Sequence, residues 1–169
     1  MAEWFFGCAR EHGKFTVELI DLKEVNLPVL DEPHHPRLQK YEYEHTRRWS
    51  DRIQRTDAFV FVTPEYNYGP SPALLNALDY LYKEWNYKAV GFVSYGGMSG
   101  GLRAVQITKQ VLTTLKMVPL VEAVAVPFFA KRIENNTFKS DDVLDTSATI
   151  MLDELARWNE ALTVLRTAV

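Results

Sequence analysis

The segment from Phe59 to Asp79, FVFVTPEYNYGPSPALLNALD, constrains the fold more than any other part of the chain. Phe59, Val60, Phe61 and Val62 form a continuous apolar run of β-preferring residues, the pattern of a strand covered on both faces in a parallel sheet. Thr63 marks the strand's carboxyl end. Pro64, Gly69, Pro70 and Pro72 then stop regular pairing and fix a turn, and Leu74, Ala77, Leu78 and Leu81 restart the apolar pattern at helical spacing. A buried strand passing through a stiff loop into a helix is the βα unit of an open α/β sheet. In such sheets ligands bind in the crevice beyond the carboxyl ends of the strands.

The rest of the chain repeats this alternation. Trp4, Phe5, Cys8 and Ala9 give a first helix its apolar face, and Thr16 to Ile20 reads as a strand. Asp21 to Pro36 reads as an ordered surface loop anchored by Leu27, Val29 and Leu30. An amphipathic helix over Tyr43 to Gln54, carrying Trp49 and Ile53, precedes the strand Ala58 to Val62. A helix from Pro72 to Tyr82, a strand Ala89 to Tyr95, a helix from Leu102 to Lys116 and an all-apolar strand Val121 to Val126 follow. The last helix, Asp141 to Arg166, sets Leu144, Met151, Leu155, Trp158, Leu162 and Leu165 on one stripe. This order predicts a three-layer α/β/α sandwich around a parallel sheet.

With 169 residues, 47% of them hydrophobic, the chain can bury a substantial core, and residues 1–169 are expected to form a single domain. A net charge of -3 leaves no basic excess, and the pairs Arg47-Arg48 and Lys131-Arg132 are too short for a phosphate-binding stripe, so no nucleic-acid partner is expected. No apolar run approaches the roughly 18 residues of a membrane span, and no secretory leader pattern opens the chain. The expectation is no membrane association and a cytoplasmic location. The lone Cys8 has no partner for a disulfide or a zinc spacing and reads as a small apolar helix residue.

Two stretches, TPEYNYGPSPALLNALDYL (63 to 81) and VSYGGMSGG (93 to 101), resemble the NAD(P)H-dependent FMN reductases and quinone or azo reductases of flavodoxin-like fold. Each ends a hydrophobic strand and opens a helix, and a looser likeness runs from about Phe15 onward. One departure is Leu75, where the family usually has a lysine. The resemblance implies a flavodoxin-like sandwich that binds FMN and takes electrons from NADPH or NADH. Hydride would pass through the flavin to a small-molecule acceptor, a quinone, an azo compound or free flavin. It also implies a homodimer or homotetramer. Pro64, Glu65, Tyr66, Asn67 and Tyr68 from the first loop, with Ser94, Tyr95, Gly96 and Gly97 from the second, are the expected cofactor-binding residues, Pro64 to Asn67 lining the isoalloxazine. Tyr66 and Tyr68 could equally be core or dimer contacts. No side chain is required as a catalytic acid or base, because the flavin carries the chemistry.

A second departure lies at the amino end. The family opens with a hydrophobic strand and a Gly-Ser-x-Arg-like loop that holds the FMN phosphate, whereas this chain reads MAEWFFGCAREHGKFTVELIDL, a first helix followed directly by the second strand. The strand order 2-1-3-4-5 of such folds would place the missing strand between Thr16–Ile20 and Ala58–Val62, leaving two open edges. The expectation is an amino-terminally truncated form. The alternative function is a flavodoxin-like protein with weak or no FMN binding, serving as a binding or assembly module or as an inactive remnant.

Other chemistries compete for the same residues. Gly97-Met98-Ser99-Gly100-Gly101 formally matches the G-x-S-x-G nucleophile elbow, yet all four histidines (His12, His34, His35, His45) precede Ser99, against the hydrolase order. The glycines fit positions where backbone must approach a ligand or take positive φ, or a Gly-rich βα loop with no ligand. No Walker lysine follows. Asp31, Glu32, His34 and His35 are potential ligands flanked by prolines, which favours an exposed turn, so no metal site is expected. Glu65 reads as a solvated or backbone-capping carboxylate. Trp85 reads as a buried indole at a helix end, or as a border of a neighbouring subunit's site.

Overall fold

The computed structural model describes residues 1–167. Its elements are α1 (Ala2–His12), α2 (Leu22–Val25), α3 (Glu44–Gln54), β1 (Ala58–Pro64), α4 (Pro72–Asp79), β2 (Ala89–Tyr95), α5 (Leu102–Thr114), β3 (Val118–Val126), β4 (Ile133–Glu134), β5 (Thr137–Phe138) and α6 (Asp142–Thr167). The main sheet has three parallel strands in the order β1-β2-β3. The flavodoxin-like sandwich is as expected.

Side-chain alternation along the strands divides the core between two faces. On one face Phe59 and Phe92 meet Trp49 and Ile53 of α3, Leu74 and Leu78 of α4, Trp85, and Val105 and Leu112 of α5. On the other, Val93 and Val124 meet Phe5 and Ala9 of α1 and Met151, Leu152 and Leu155 of α6. Gly91 lets α6 approach closely: a Cβ there would stand 2.8 Å from the Met151 sulfur.

Three expectations change. Thr16 to Ile20 is not a strand. The segment is extended, with Phe15 and Val17 turned toward one core face and Ile20 toward the other, but among the described residues it makes no backbone hydrogen bond. A strand needs a neighbour, and none lies within reach of this one. Between it and β1 runs a cleft of ≈ 1030 Å³, walled by both segments and floored by α1, α3, α4 and α6 residues.

The loop Asp21 to Pro36 is not anchored by Val29, which is 86% exposed, or by the exposed Leu30. Leu27 does pack against the core, and Asn76 holds the rest: its Oδ1 accepts from Leu30 N at 2.9 Å and its Nδ2 donates to the Pro28 carbonyl at 2.7 Å. Trp85 is wholly buried, donating to the Leu78 carbonyl and packing edge-on against Trp49, Phe59 and Phe61, so it belongs to the core and not to a subunit border.

A small hairpin, β4-β5, was not expected. Its turn is Asn135-Asn136 with both φ positive, the conformation that two-residue hairpins favour and asparagine tolerates. Strand β3 begins at Val118, earlier than the all-apolar run suggests, because Pro119 lies in an edge strand, where its missing donor can be tolerated.

Candidate functional site

The carboxyl ends of β1 and β2 lie side by side, with Thr63 opposite Ser94 and Pro64 opposite Tyr95. The loop leaving β1 continues this pairing for one residue, since Glu65 N donates to the Tyr95 carbonyl at 3.0 Å. It then folds into a tight turn in which Tyr66 N and Gly69 N donate to each other's carbonyl oxygens at 3.0 and 2.8 Å. Asn67 and Tyr68 at the tip have φ of 49° and 71°, so this is a turn of the primed type, with a tyrosine where glycine is usual. The tip is presented outward: Tyr66 is 57% and Tyr68 65% exposed.

The second loop is pinned to the protein's own backbone. Ser94 is buried and donates to the Gly100 carbonyl at 2.8 Å. Gly97 O accepts from Phe128 N at 2.8 Å, and Gly96 N donates to Val126 O at 3.3 Å. The glycines at positive φ are Gly100 and Gly101, not Gly96 or Gly97. A Cβ on Gly101 would fall 2.8 Å from Ser94 Cβ and from Tyr95 N, so this glycine is required by the loop itself. Gly97, in contrast, opens onto free space.

Glu65 joins the two loops. Its carboxylate is almost fully buried and accepts from Ser99 Oγ at 2.9 Å, from Arg103 Nε at 2.7 Å and from the backbone N–H of Arg103 at 3.1 Å. Gly101, the N-cap of α5, has no side chain to cap the helix, and Glu65 supplies the missing acceptor from the neighbouring loop. The Arg103 guanidinium, then the Ser99 hydroxyl, hold the Glu65 carboxyl below the usual carboxylate range against the opposing effect of burial. Glu65 is therefore a capping carboxylate and not a solvated one. The same guanidinium lies 3.6 Å from the centre of the Tyr68 ring, fixing the turn tip by a cation–π contact. Sequence reading missed Arg103, whose signal was its place in the first turn of the helix after Gly100-Gly101.

Ser99 spends its hydroxyl on Glu65, and each histidine is placed elsewhere: His12 at Asp153, His34 at Glu42, His35 receiving Arg37 N, and His45 at Asp31. The nucleophile elbow has no base, which removes the hydrolase reading. Asp31, Glu32, His34 and His35 likewise turn to separate partners, and among the described residues no group of three or more such side chains converges on a metal position.

The model of the family described as NADPH-dependent FMN reductase matches residues 1–131. This chain belongs to that family. Within it, the chain is 42% identical over 131 residues to an NAD(P)H-dependent FMN reductase of Schizosaccharomyces pombe, covering 75% of this chain and 65% of that protein. It is 37% identical over 110 residues to an NAD(P)H-dependent FMN reductase of Saccharomyces cerevisiae, covering 62% and 57%. A quinone reductase of Pseudomonas putida is 31% identical over 118 residues, covering 66% and 63%. The chain thus spans less than two thirds of the length of these relatives. Among solved structures, FerB, a flavoenzyme NAD(P)H:(acceptor) oxidoreductase of Paracoccus denitrificans, superposes with a TM-score of 0.75 at 20% identity, covering 95% of this chain and 90% of that one, which establishes the shared fold.

The FMN of this family presents a flat ring and a phosphate to whatever holds it. A flat ring needs a rigid slot edged by backbone donors and acceptors, and the locked turn with the open Gly97 backbone beside it has that form. The phosphate is different. Of the two helices that begin at this end, α4 opens on Pro72, which has no N–H, and in the first turn of α5 the Arg103 N–H is taken by Glu65.

Proposed function

We propose that this chain contributes the ring-binding part of an FMN-dependent NAD(P)H oxidoreductase that reduces quinones, azo compounds or free flavin. The observation that carries the reading is the Glu65–Ser99–Arg103 network, which locks the Pro64–Tyr68 turn to the Ser94–Gly101 loop at the carboxyl edge of the sheet. Pro64, Tyr66, Asn67 and Tyr68, with Tyr95 and the Gly96-Gly97 backbone, form the face offered to the ring. Glu65 and Ser94 support that face from behind.

Bound FMN would accept and return the hydride. The protein's part is to hold a rigid platform and to exclude water from it, so no side chain here need act as acid or base. Quinone as acceptor is supported by the quinone reductase relative, and NADPH or NADH as donor by the family. Tyr66, Tyr68, Met98, Leu102, Ile107 and Phe128 are exposed on or near this end, and a homodimer or homotetramer would cover them. Among the described residues no helix is long and apolar enough to cross a membrane; a cytoplasmic, single-domain protein is part of the proposal.

The test is an FMN titration followed by quenching of flavin fluorescence, with oxidation of NADH and NADPH measured in the presence of a quinone. Saturable binding that weakens in Asn67→Ala and Tyr66→Ala supports the platform. A folded chain that binds no FMN, or binds it equally in both variants, overturns it. The second reading is weak FMN affinity with a binding role, and the same titration separates the two.

A further inference from the structure

The segment leaving β3 forms a third wall beside the two loops of the candidate site. Phe128 N donates to the Gly97 carbonyl at 2.8 Å, and Phe129 N donates to the Gly96 carbonyl at 3.3 Å. Gly100 permits this approach: at φ +59°, a Cβ there would stand 3.1 Å from Pro127 N. Val126 to Phe129 therefore lies backbone against backbone along the loop whose open Gly97 face is offered to the ring.

The two phenylalanines of this wall have different surroundings. Phe129 packs edge-on against Tyr95, with ring centroids 5.2 Å apart, and joins the core face that contains Val124 and Met151. Phe128 is 50% exposed and belongs to neither core cluster. Its backbone sits at φ 48°, ψ 40°, a left-handed conformation that is unfavourable for a bulky residue and easily adopted by asparagine or glycine. A strained aromatic that the core does not use, standing next to a ligand face, points to a contact with a ligand.

The charge beside it narrows the chemistry of that ligand. Lys131 Nζ lies 5.3 Å from the centre of the Phe128 ring, and Lys131 N donates to the Phe128 carbonyl at 2.9 Å. The neighbouring Arg132 is neutralised by Asp141 at 2.8 Å, whereas Lys131 makes no ion pair among the described residues. An exposed ammonium is thus held at the edge of an aromatic shelf.

We propose that Phe128 and Lys131 set acceptor specificity: the wall takes a planar aromatic electron acceptor whose ring rests on Phe128 beside Gly97 and whose sulfonate or carboxylate is met by Lys131. Among acceptors of one ring size, anionic aromatics are then preferred to neutral ones. This inference rests on the ring platform proposed above and adds a wall and a charge to it.

The test loads the full chain with FMN and compares naphthoquinone with naphthoquinone sulfonate as acceptors from NAD(P)H, while calorimetry gives the Kd of naphthalene sulfonate, which is not reduced. Lys131→Gln should raise KM for the sulfonated quinone, and Kd for naphthalene sulfonate, by about three- to tenfold. The neutral quinone should stay within about twofold, and the salt dependence of the sulfonate preference should disappear. Phe128→Asn should raise KM for both quinones by about three- to tenfold. Its FMN affinity should be unchanged and its urea midpoint equal or higher, because asparagine accepts the left-handed backbone. The assignment is overturned if Lys131→Gln affects both quinones alike, or raises KM for NAD(P)H as much as for the sulfonate, which makes Lys131 a donor contact. It is also overturned if Phe128→Asn lowers the urea midpoint, which makes the ring structural, or shifts the sedimentation coefficient, which makes it a subunit contact. FMN retained by every variant with these constants unmoved removes this inference alone, whereas no uptake of FMN by the unsubstituted chain removes the platform and this inference together.

Discussion

Strands β1 and β2 are made of the same material and live in different surroundings. AFVFVTP and AVGFVSY are both continuous apolar runs ending in a hydroxyl residue and a ring. β2 is buried along six successive residues because it has a strand on each side and helices on both faces. β1, with one strand neighbour, is half-buried at most positions. Its composition is nevertheless that of an interior strand, without the lysines, bulges or charges that blunt a natural edge. Composition records the environment a strand is built for, and burial records the one it has.

The comparison can be broken most directly at two phenylalanines on the same sheet face. Phe92→Ala on β2 should lower unfolding free energy by about 3–5 kcal/mol, and Phe61→Ala on β1 by about 2, by urea denaturation. Equal losses would mean that β1 is as well enclosed as β2.

A second, smaller contrast lies between two glycines of one loop. Gly101→Ala sets a Cβ against Ser94 and Tyr95 at φ +87°, and should cost about 1–3 kcal/mol. Gly97→Ala meets nothing within 4 Å and should stay within about 0.5 kcal/mol. If Gly97→Ala leaves stability intact while weakening FMN, the open backbone there is functional.

Two further effects are pH-dependent. The Glu65 carboxyl has a lower pKa folded than unfolded, chiefly through Arg103, so its contribution is present above the ordinary carboxylate range and is lost as pH falls through the folded value. Glu65→Gln should flatten that acid limb in urea midpoints measured against pH. Lys88 behaves oppositely. Burial, then the charge of Arg166, lower its pKa to about 8 from 10.5. Over that interval the unfolded chain binds more protons, so stability should rise with pH from about 8 to 10.5, a rise that Lys88→Met removes.

Much of this was legible beforehand. The ends of β2 at Ala89 and Tyr95 follow from the apolar run and its flanking polar residues, and α6 from its stripe, of which Leu144, Met151, Leu155 and Leu162 are buried while Trp158 and Leu165 are exposed. Thr16 to Ile20 was misread because alternation reports which side chains face a core, while a strand also requires backbone partners contributed by another segment. Val29 was misread because an isolated aliphatic in a loop is indistinguishable in sequence from an anchor, and the real clamp, Asn76, lies in a helix far along the chain. Glu65 was half legible: a carboxylate after a strand suggested capping, but the helix it caps begins more than thirty residues later.

That long-range cap ties two events that would otherwise be independent. For the Tyr66–Tyr68 turn to swing away, Glu65 must leave the N–H of Arg103, and α5 loses its only side-chain cap among the described residues. The turn and the first turn of the helix therefore open as one cooperative unit, and the amides of Tyr66, Gly69 and Arg103 should exchange with solvent at a common rate. A surface turn with two exposed tyrosines inherits the lifetime of a helix end, and the cost of rearranging the platform is set inside the fold rather than at its rim.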